Sequence, residues 1–274
     1  MEGQKIIISL TTWKPRMGNI PVVLDTIFNQ TKKPEKVVLN LATEERIPEN
    51  VQNYLDYSGV EVYRVPDTKV YKKLIPTLRR YPNDCIISID DDFLYPNTMI
   101  EDFWKMHLRF PGLPISGNKY EYMGLQCHCG CASLTKAEFF GEYLFMIDDE
   151  LMANCPSDDI VYTFLSTKNH CPYLRTDQEY FDNLECYNPT VPYTEQNELE
   201  NTLGKSFNYL TKRFGKIDLI DDFLSGYAEH DDNLGYLLKK SRENYRRIYK
   251  ASYSYRVGHA LLSPFSFMKK SKKK

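Results

Sequence analysis

The sequence predicts an α/β protein built on a mostly parallel sheet with helices on both faces. Short apolar, β-branched runs recur along the first part of the chain. Segments of helical periodicity separate them, and polar loops follow the strands. Strands alternating with helices are what a parallel sheet needs, because each crossover takes a helix-length connection.

The elements follow in order. "KIIISL" (5–10) is a continuous apolar run, as expected of a strand buried on both faces. "TTWKPRMGN" (11–19) is a polar loop. A helix starts near Pro21, a residue suited to the first turn, with Ile20, Val23, Leu24, Ile27 and Phe28 on one face. "KVVLNL" (36–41) is a second strand, "PENVQNYLDY" (48–57) a helix ended near Gly59, and "VEVYRV" (60–65) a third strand. "VYKKLIPTLRRY" (70–81) reads as a helix interrupted or started late by Pro76. "CIISID" (85–90) is the fourth strand, and "NTMIEDFWKMHLRF" (97–110) a helix capped by Asn97. Beyond 112 the pattern loosens. "KYEYMGLQCHCGCASL" (119–134) has strand-like stretches broken by Gly124 and Gly130. "TKAE" (135–138) has the capping-box pattern of a short helix. "PSDDIVYTFLSTK" (156–168) and "ELENTLGKSFNYLTKRF" (198–214) read as helices, with Gly204 a weak point in the second.

A chain of 274 residues holds one large domain or two small ones, and 42% hydrophobic with 26% charged residues is ordinary globular composition. The formal net charge of -2 gives no global electrostatic case for nucleic acid. The first ten residues lack the regions of a signal peptide, and no apolar run approaches the roughly 20 residues of a membrane span. The expectation is a cytoplasmic protein whose seven cysteines are reduced.

Three consecutive aspartates, Asp90, Asp91 and Asp92, close the fourth strand. Two carboxylates ~4 Å apart repel by roughly 1 to 4 kcal/mol. The triplet therefore calls for water, basic partners or a metal ion. In extended backbone Asp90 and Asp92 face one way and Asp91 the other. Two hard oxygen ligands on one side suit Mg²⁺ or Mn²⁺, held firmly once a diphosphate adds further oxygens. The alternative is a solvated loop with an aspartate capping the next helix. The loop at 11–19 and the triplet both follow strands, which puts them on one edge of the sheet, where such folds bind ligands.

"ISLTTWKPRMGNIPVVLDTIFNQTKKPEKVVLNLA" (8–42), "KKLIPTLRRYPNDCIISIDDDFLYP" (72–96) and "CPSDDIVYTFLSTKN" (155–169) together resemble glycosyltransferases of the GT-A fold, of the bacterial capsule and lipopolysaccharide biosynthesis type. The resemblance covers roughly residues 5 to 170. It implies a Rossmann-like catalytic domain over 1–190, with a nucleotide-binding part to about 96 and an acceptor part over 97–190, followed by a helical C-terminal extension over 191–274. It implies that Asp90 and Asp92 match a DxD motif, with Asp92 the direct metal ligand and Asp90 and Asp91 beside the nucleotide. By the same likeness Trp13 stacks on the base, Thr11 and Thr12 flank it, and Arg16 and Lys73 meet the nucleotide's charge. Asp159 matches the general base and Asp158 an acceptor-binding carboxylate. For these two, dipole complementation at a helix start is the competing reading.

The implied activity is metal-dependent, inverting transfer of a sugar from a nucleotide-diphosphate donor, UDP-linked, to a hydroxyl of a surface polysaccharide or lipid-linked glycan. Two alternatives stand beside it. One is a sugar-1-phosphate nucleotidyltransferase, although "TTWKPRMGN" lacks the glycine-rich loop of those enzymes. The other is a non-catalytic sugar-nucleotide or polysaccharide-binding module.

"GLQCHCGCASL" (124–134) departs from the family pattern, placing Cys127, Cys129 and Cys131 around Gly130 where relatives carry a glycine-rich turn. Their alternation suggests one face of a strand. Cys-x-Cys-x-Cys is not a zinc spacing, which favours small buried thiols. The tail, "SPFSFMKKSKKK", joins aromatics to lysines at 269, 270, 272, 273 and 274. That composition suits peripheral contact with an anionic membrane face, against the alternative of a solvated tail.

Overall fold

The computed structural model describes residues 4–118, 120–122, 125–176, 178–188 and 196–217. The basic tail lies outside the described residues. The described residues within 1–120 and 126–218 form a first compact unit, and 121–122 with 125 belong to a second. The main sheet belongs to the first unit.

In chain order the elements are β1 (Ile6–Thr11), α1 (Ile20–Phe28), β2 (Lys36–Ala42), α2 (Glu49–Ser58), β3 (Glu61–Val65), α3 (Ile75–Arg80), β4 (Cys85–Ile89), β5 (Phe93–Leu94) and α4 (Met99–Arg109). There follow β6 (Ile115–Ser116), β7 (Glu121–Tyr122), β8 (Leu125–Gln126), β9 (Ala132–Thr135), α5 (Asp149–Asn154), α6 (Asp158–Lys168), β10 (Leu174–Arg175), β11 (Glu185–Cys186) and α7 (Gln196–Phe214). Among the described residues the main sheet has seven strands in the order β10-β6-β9-β4-β1-β2-β3. β3, β2, β1 and β4 run parallel, and β9 lies antiparallel between β4 and β6. This is the mixed, mostly parallel α/β sheet that the alternation of elements predicts.

The central strands are apolar because they are covered on both faces. Ile7, Ile8 and Leu10 of β1, Val38, Leu39 and Leu41 of β2, and Ile86, Ile87 and Ile89 of β4 have no exposed surface. β3, at the edge, is only partly covered. The apolar stripe of α1 (Ile20, Val23, Leu24, Ile27) is buried, as its spacing predicts. Gly59 ends α2 in a left-handed conformation (φ 73°) that costs a glycine little. Segment 70–81 divides at Leu74 into a 3-10 turn, Lys69–Lys73, and α3, with Pro76 in the first turn of α3. α7 packs on α6 through Phe207 and Phe164, whose rings lie 5.4 Å apart.

Three local expectations fail. Asn97 does not cap α4; Thr98 holds that place without a side-chain bond, while the Asn97 carbonyl accepts the Thr31 N–H at 2.7 Å. Thr135 opens no helix, because sheet pairing with Ile86 claims it as the last residue of β9, and 3-10 turns follow. The segment holding Cys127, Cys129 and Cys131 is not a strand. The Cys127 N–H still donates to the Tyr120 carbonyl at 2.7 Å, but the next two N–H groups turn to side chains, His128 to Thr163 Oγ1 at 2.8 Å and Cys129 to Ser133 Oγ at 2.9 Å. The three thiols are buried.

Candidate active site

A cleft of about 700 Å³ opens at the carboxyl edge of the parallel strands. Thr11, Thr12, Trp13, Arg16, Lys73, Asp90, Asp91, Asp92, Asp158 and Asp159 all line it, joined by Glu45, Asp67, Lys69, Lys72 and Gly130. The residues singled out from separate parts of the sequence therefore share one space. Parallel strands bring them together, since the loops after β1 and β4 leave the sheet at the same end.

The backbone leaves β4 in a turn over Asp91 and Asp92, so the alternation expected of extended chain is lost. Instead Arg16 Nη1 reaches both Asp91 Oδ1 at 3.1 Å and Asp92 Oδ2 at 2.8 Å. Thr12 donates to Asp91 Oδ2 at 2.5 Å. Asp90 points elsewhere, accepting from Lys73 Nζ at 2.8 Å. Its own N–H donates to the buried Tyr95 hydroxyl at 3.0 Å, and that hydroxyl donates to the Cys131 carbonyl. The residue after β11 supports the other side: the Tyr187 N–H donates to the Asp92 carbonyl at 2.6 Å.

Lys73 is a buried cation rather than a surface charge. It also donates to the Gly130 carbonyl at 3.2 Å. Its position is fixed from below by a polar network inside the apolar strands. Ser9 Oγ donates to the Lys73 carbonyl, and Thr77 Oγ1 lies 2.6 Å from Ser9 Oγ and accepts from Asn40 Nδ2 at 2.9 Å. Hydrogen bonds among buried polar groups specify one arrangement of the segment that carries them. Gly130 lets the loop approach closely: a Cβ there would sit 3.1 Å from Asp90 Oδ2 and 3.4 Å from Lys73 Nζ.

Ser157 precedes α6, whose first turn holds Asp158 and Asp159. Asp158 is 5% exposed and its Oδ2 has no hydrogen-bond partner. A carboxylate that served only the helix dipole would stay in water, where its charge is solvated. Asp159 is half-open to the cleft and bonded through Oδ1 to His128 Nδ1 at 3.0 Å.

The electrostatics are those of crowded, partly dehydrated carboxylates. Burial, reinforced by Asp90 and set against Arg16, pushes Asp92 up to about 6. Burial also raises Asp91, against the Thr12 hydrogen bond. It pushes Asp158 up to about 6 and Asp159 to about 7, in each case opposed by Lys73. Burial works against the charge of Lys73 but is outweighed by Asp90, Asp158 and Asp159, which hold its pKa above the ordinary lysine value. Burial and the nearby Lys73 charge press His128 down to about 3, so its ring is neutral.

Among the described residues no three acidic, histidine or cysteine side chains converge on one point that an ion would occupy. The donor set nonetheless fits a hard divalent cation. Asp90 and Asp92 offer carboxylate oxygens, and burial, then the Asp90 charge, raise the pKa of Asp92, so a bound cation would relieve the crowding of charge. Two carboxylates leave most of the coordination shell to a ligand's oxygens. Trp13, with 47% of its surface exposed at the cleft, presents a face for stacking.

Sequence reasoning passed over Ser9, Asn40, Ser88 and Tyr95. The first three carry a visible signal, a polar residue inside the apolar run of each of three strands.

No protein-family model matches the sequence, and no curated protein matches it. Solved structures do. The mannosyltransferase PcManGT from Pyrobaculum calidifontis, in complex with GDP-Man and Mn²⁺, superposes with a TM-score of 0.53 at 16% identity, over 96% of this chain and 80% of that one. Glucosyl-3-phosphoglycerate synthase from Mycobacterium tuberculosis reaches 0.49 at 13% identity, over 79% and 81%. S. aureus TarS reaches 0.46 at 11%, over 93% and 92%. The sheet order, the cleft at its carboxyl edge and the first of these likenesses agree: the chain has the GT-A fold.

Proposed function

We propose that the protein is a metal-dependent glycosyltransferase that moves a sugar from a nucleotide-diphosphate donor, UDP-linked, to a hydroxyl of a surface polysaccharide or lipid-linked glycan. One observation carries the reading: an acidic triplet with two cations and an exposed tryptophan shares a cleft with a second acidic pair, the buried Asp158 and the half-open Asp159. The first group suits a nucleotide diphosphate and the second an acceptor hydroxyl. The PcManGT complex with GDP-Man and Mn²⁺ supports the donor class.

Asp92 and Asp90 would hold Mn²⁺ or Mg²⁺, which when bound neutralises charge on a diphosphate leaving group. Arg16 and Lys73 set the orientation of the three aspartates. Trp13 stacks on the base, with Thr11 and Thr12 beside it. Asp158 accepts hydrogen bonds from acceptor hydroxyls. Asp159 takes the proton of the attacking hydroxyl, a role typically worth 10²- to 10⁴-fold. Attack from the face opposite the diphosphate inverts the sugar carbon and needs no covalent intermediate.

Among the described residues no helix is long and apolar enough to cross a membrane. Contact with an anionic membrane through the basic tail remains part of the proposal. The test of the whole reading is calorimetric titration of UDP with and without Mn²⁺, followed by a donor-sugar turnover screen. Metal-dependent UDP binding and release of UDP support it. Pyrophosphate release from a sugar phosphate and UTP would replace it with the nucleotidyltransferase, and binding without turnover with a binding module.

A further inference from the structure

Behind Asp159 lies a buried assembly that the proposed mechanism does not use. His128 has no exposed surface. Its Nδ1 faces Asp159 Oδ1 at 3.0 Å and its Nε2 faces Ser88 Oγ at 3.2 Å. Tyr162 and Tyr173 hold the ring edge-on from two sides, with centroids 5.0 and 5.5 Å away. The backbone is pinned as well: the His128 N–H donates to Thr163 Oγ1, and Thr163 Oγ1 donates to the Asp159 carbonyl at 2.7 Å. Loop and helix are thereby joined around one carboxylate.

We infer that His128 is a positioning residue for Asp159: a neutral imidazole, protonated at Nδ1, that donates to one carboxylate oxygen and leaves the other for the acceptor's proton. This rests on the reading of Asp159 as base. The tautomer follows from the partners. An ionised Asp159 accepts only, so the nitrogen 3.0 Å away must carry the hydrogen. Ser88 is a hydroxyl and can donate to the remaining lone pair at Nε2. The charged groups around the pair are Lys73, Asp90 and Asp158. The neighbouring Lys73 cation disfavours a charged ring, so the imidazole donates without taking up the proton itself. When Asp159 accepts the acceptor's proton on its open oxygen, the hydrogen bond on the other keeps the carboxyl group in place.

The test uses wild-type protein, His128→Leu and His128→Asn, whose amide can reproduce the Nδ1 donor. Side-chain nitrogen NMR of histidine-labelled wild-type protein, at a pH where Asp159 is ionised, should show His128 protonated at Nδ1. Carbon NMR should show the Asp159 carboxyl titrating higher in His128→Leu than in wild type or His128→Asn. In sugar transfer, His128→Leu should lower kcat by about 10- to 100-fold, the range of a lost hydrogen bond to a charged group, with donor KM unchanged and the acidic limb moved up. His128→Asn should restore kcat to within about threefold of wild type. A ring protonated only at Nε2, or Leu and Asn variants losing kcat equally with the acidic limb unmoved, would overturn the inference. If wild-type protein transfers no sugar from any donor, the proposed function fails while the two NMR measurements still decide the role of His128.

Discussion

Lys73→Met removes a buried cation from among three carboxylates, and its consequence can be worked out without assuming any activity. Nζ lies 2.8 Å from Asp90 Oδ1, a gross attraction of ~6 kcal/mol at an effective dielectric of 20. Removing one partner of a buried pair typically costs ~3 to 5 kcal/mol, because the other charge stays behind. The Asp90 side chain is 31% exposed, so water screens part of it and the lower end applies, ~3 kcal/mol. For a chain of this size that lowers Tm by roughly 6 to 12 °C.

The loss must also depend on pH. Asp158 and Asp159 have folded pKa values raised to about 6 and 7. Carboxyls raised above their unfolded values contribute stability that is full below ~4 and lost as pH rises through the folded values. Lys73 limits that loss, so in Lys73→Met the decline steepens and extends above pH 7. Urea unfolding at pH 5 and pH 8 checks this: the variant should lose ~3 kcal/mol at pH 5, where Asp158 and Asp159 are protonated in the folded state and the Asp90 pair alone is lost, and clearly more at pH 8. A loss below ~1 kcal/mol at pH 8, or an equal loss at both values, would mean that Lys73 does not hold these carboxylates in their charged form.

Three further outcomes are expected. Asp92→Asn should abolish Mn²⁺-dependent UDP binding in calorimetry while leaving the fold intact or slightly stabilised, since burial and Asp90 already oppose its charge. Asp159→Asn should keep UDP binding and lose transfer by about 10²- to 10⁴-fold, and wild-type transfer should rise with pH through about 7 as Asp159 loses its proton. Gly130→Ala, whose methyl would meet the Asp90 carboxylate at 3.1 Å, should weaken Mn²⁺–UDP binding several-fold by calorimetry, with a stability change of at most ~1 kcal/mol because the carboxylate can rotate away.

The α/β class, most helices and strands, and the polar segments that share a sheet edge are legible in the order of residues alone. These follow from local periodicity and from the rule that parallel strands end on one side. The sequence also marked Asp90, Asp91, Asp92, Asp158 and Asp159, because adjacent acids beside apolar runs need an explanation. How those acids are partnered depends on packing between distant segments. A turn replaced the alternation expected over 90–92, putting Asp91 and Asp92 on Arg16 and Asp90 on Lys73. Sheet pairing took Thr135 from its helix cap, and side-chain partners took the cysteine segment out of strand geometry. The link from Ser88 through His128 to Asp159 joins residues 40 and 31 positions apart. Local patterns carry no information on such separations, since the contact exists only once β4, the loop before β9 and the first turn of α6 have packed together.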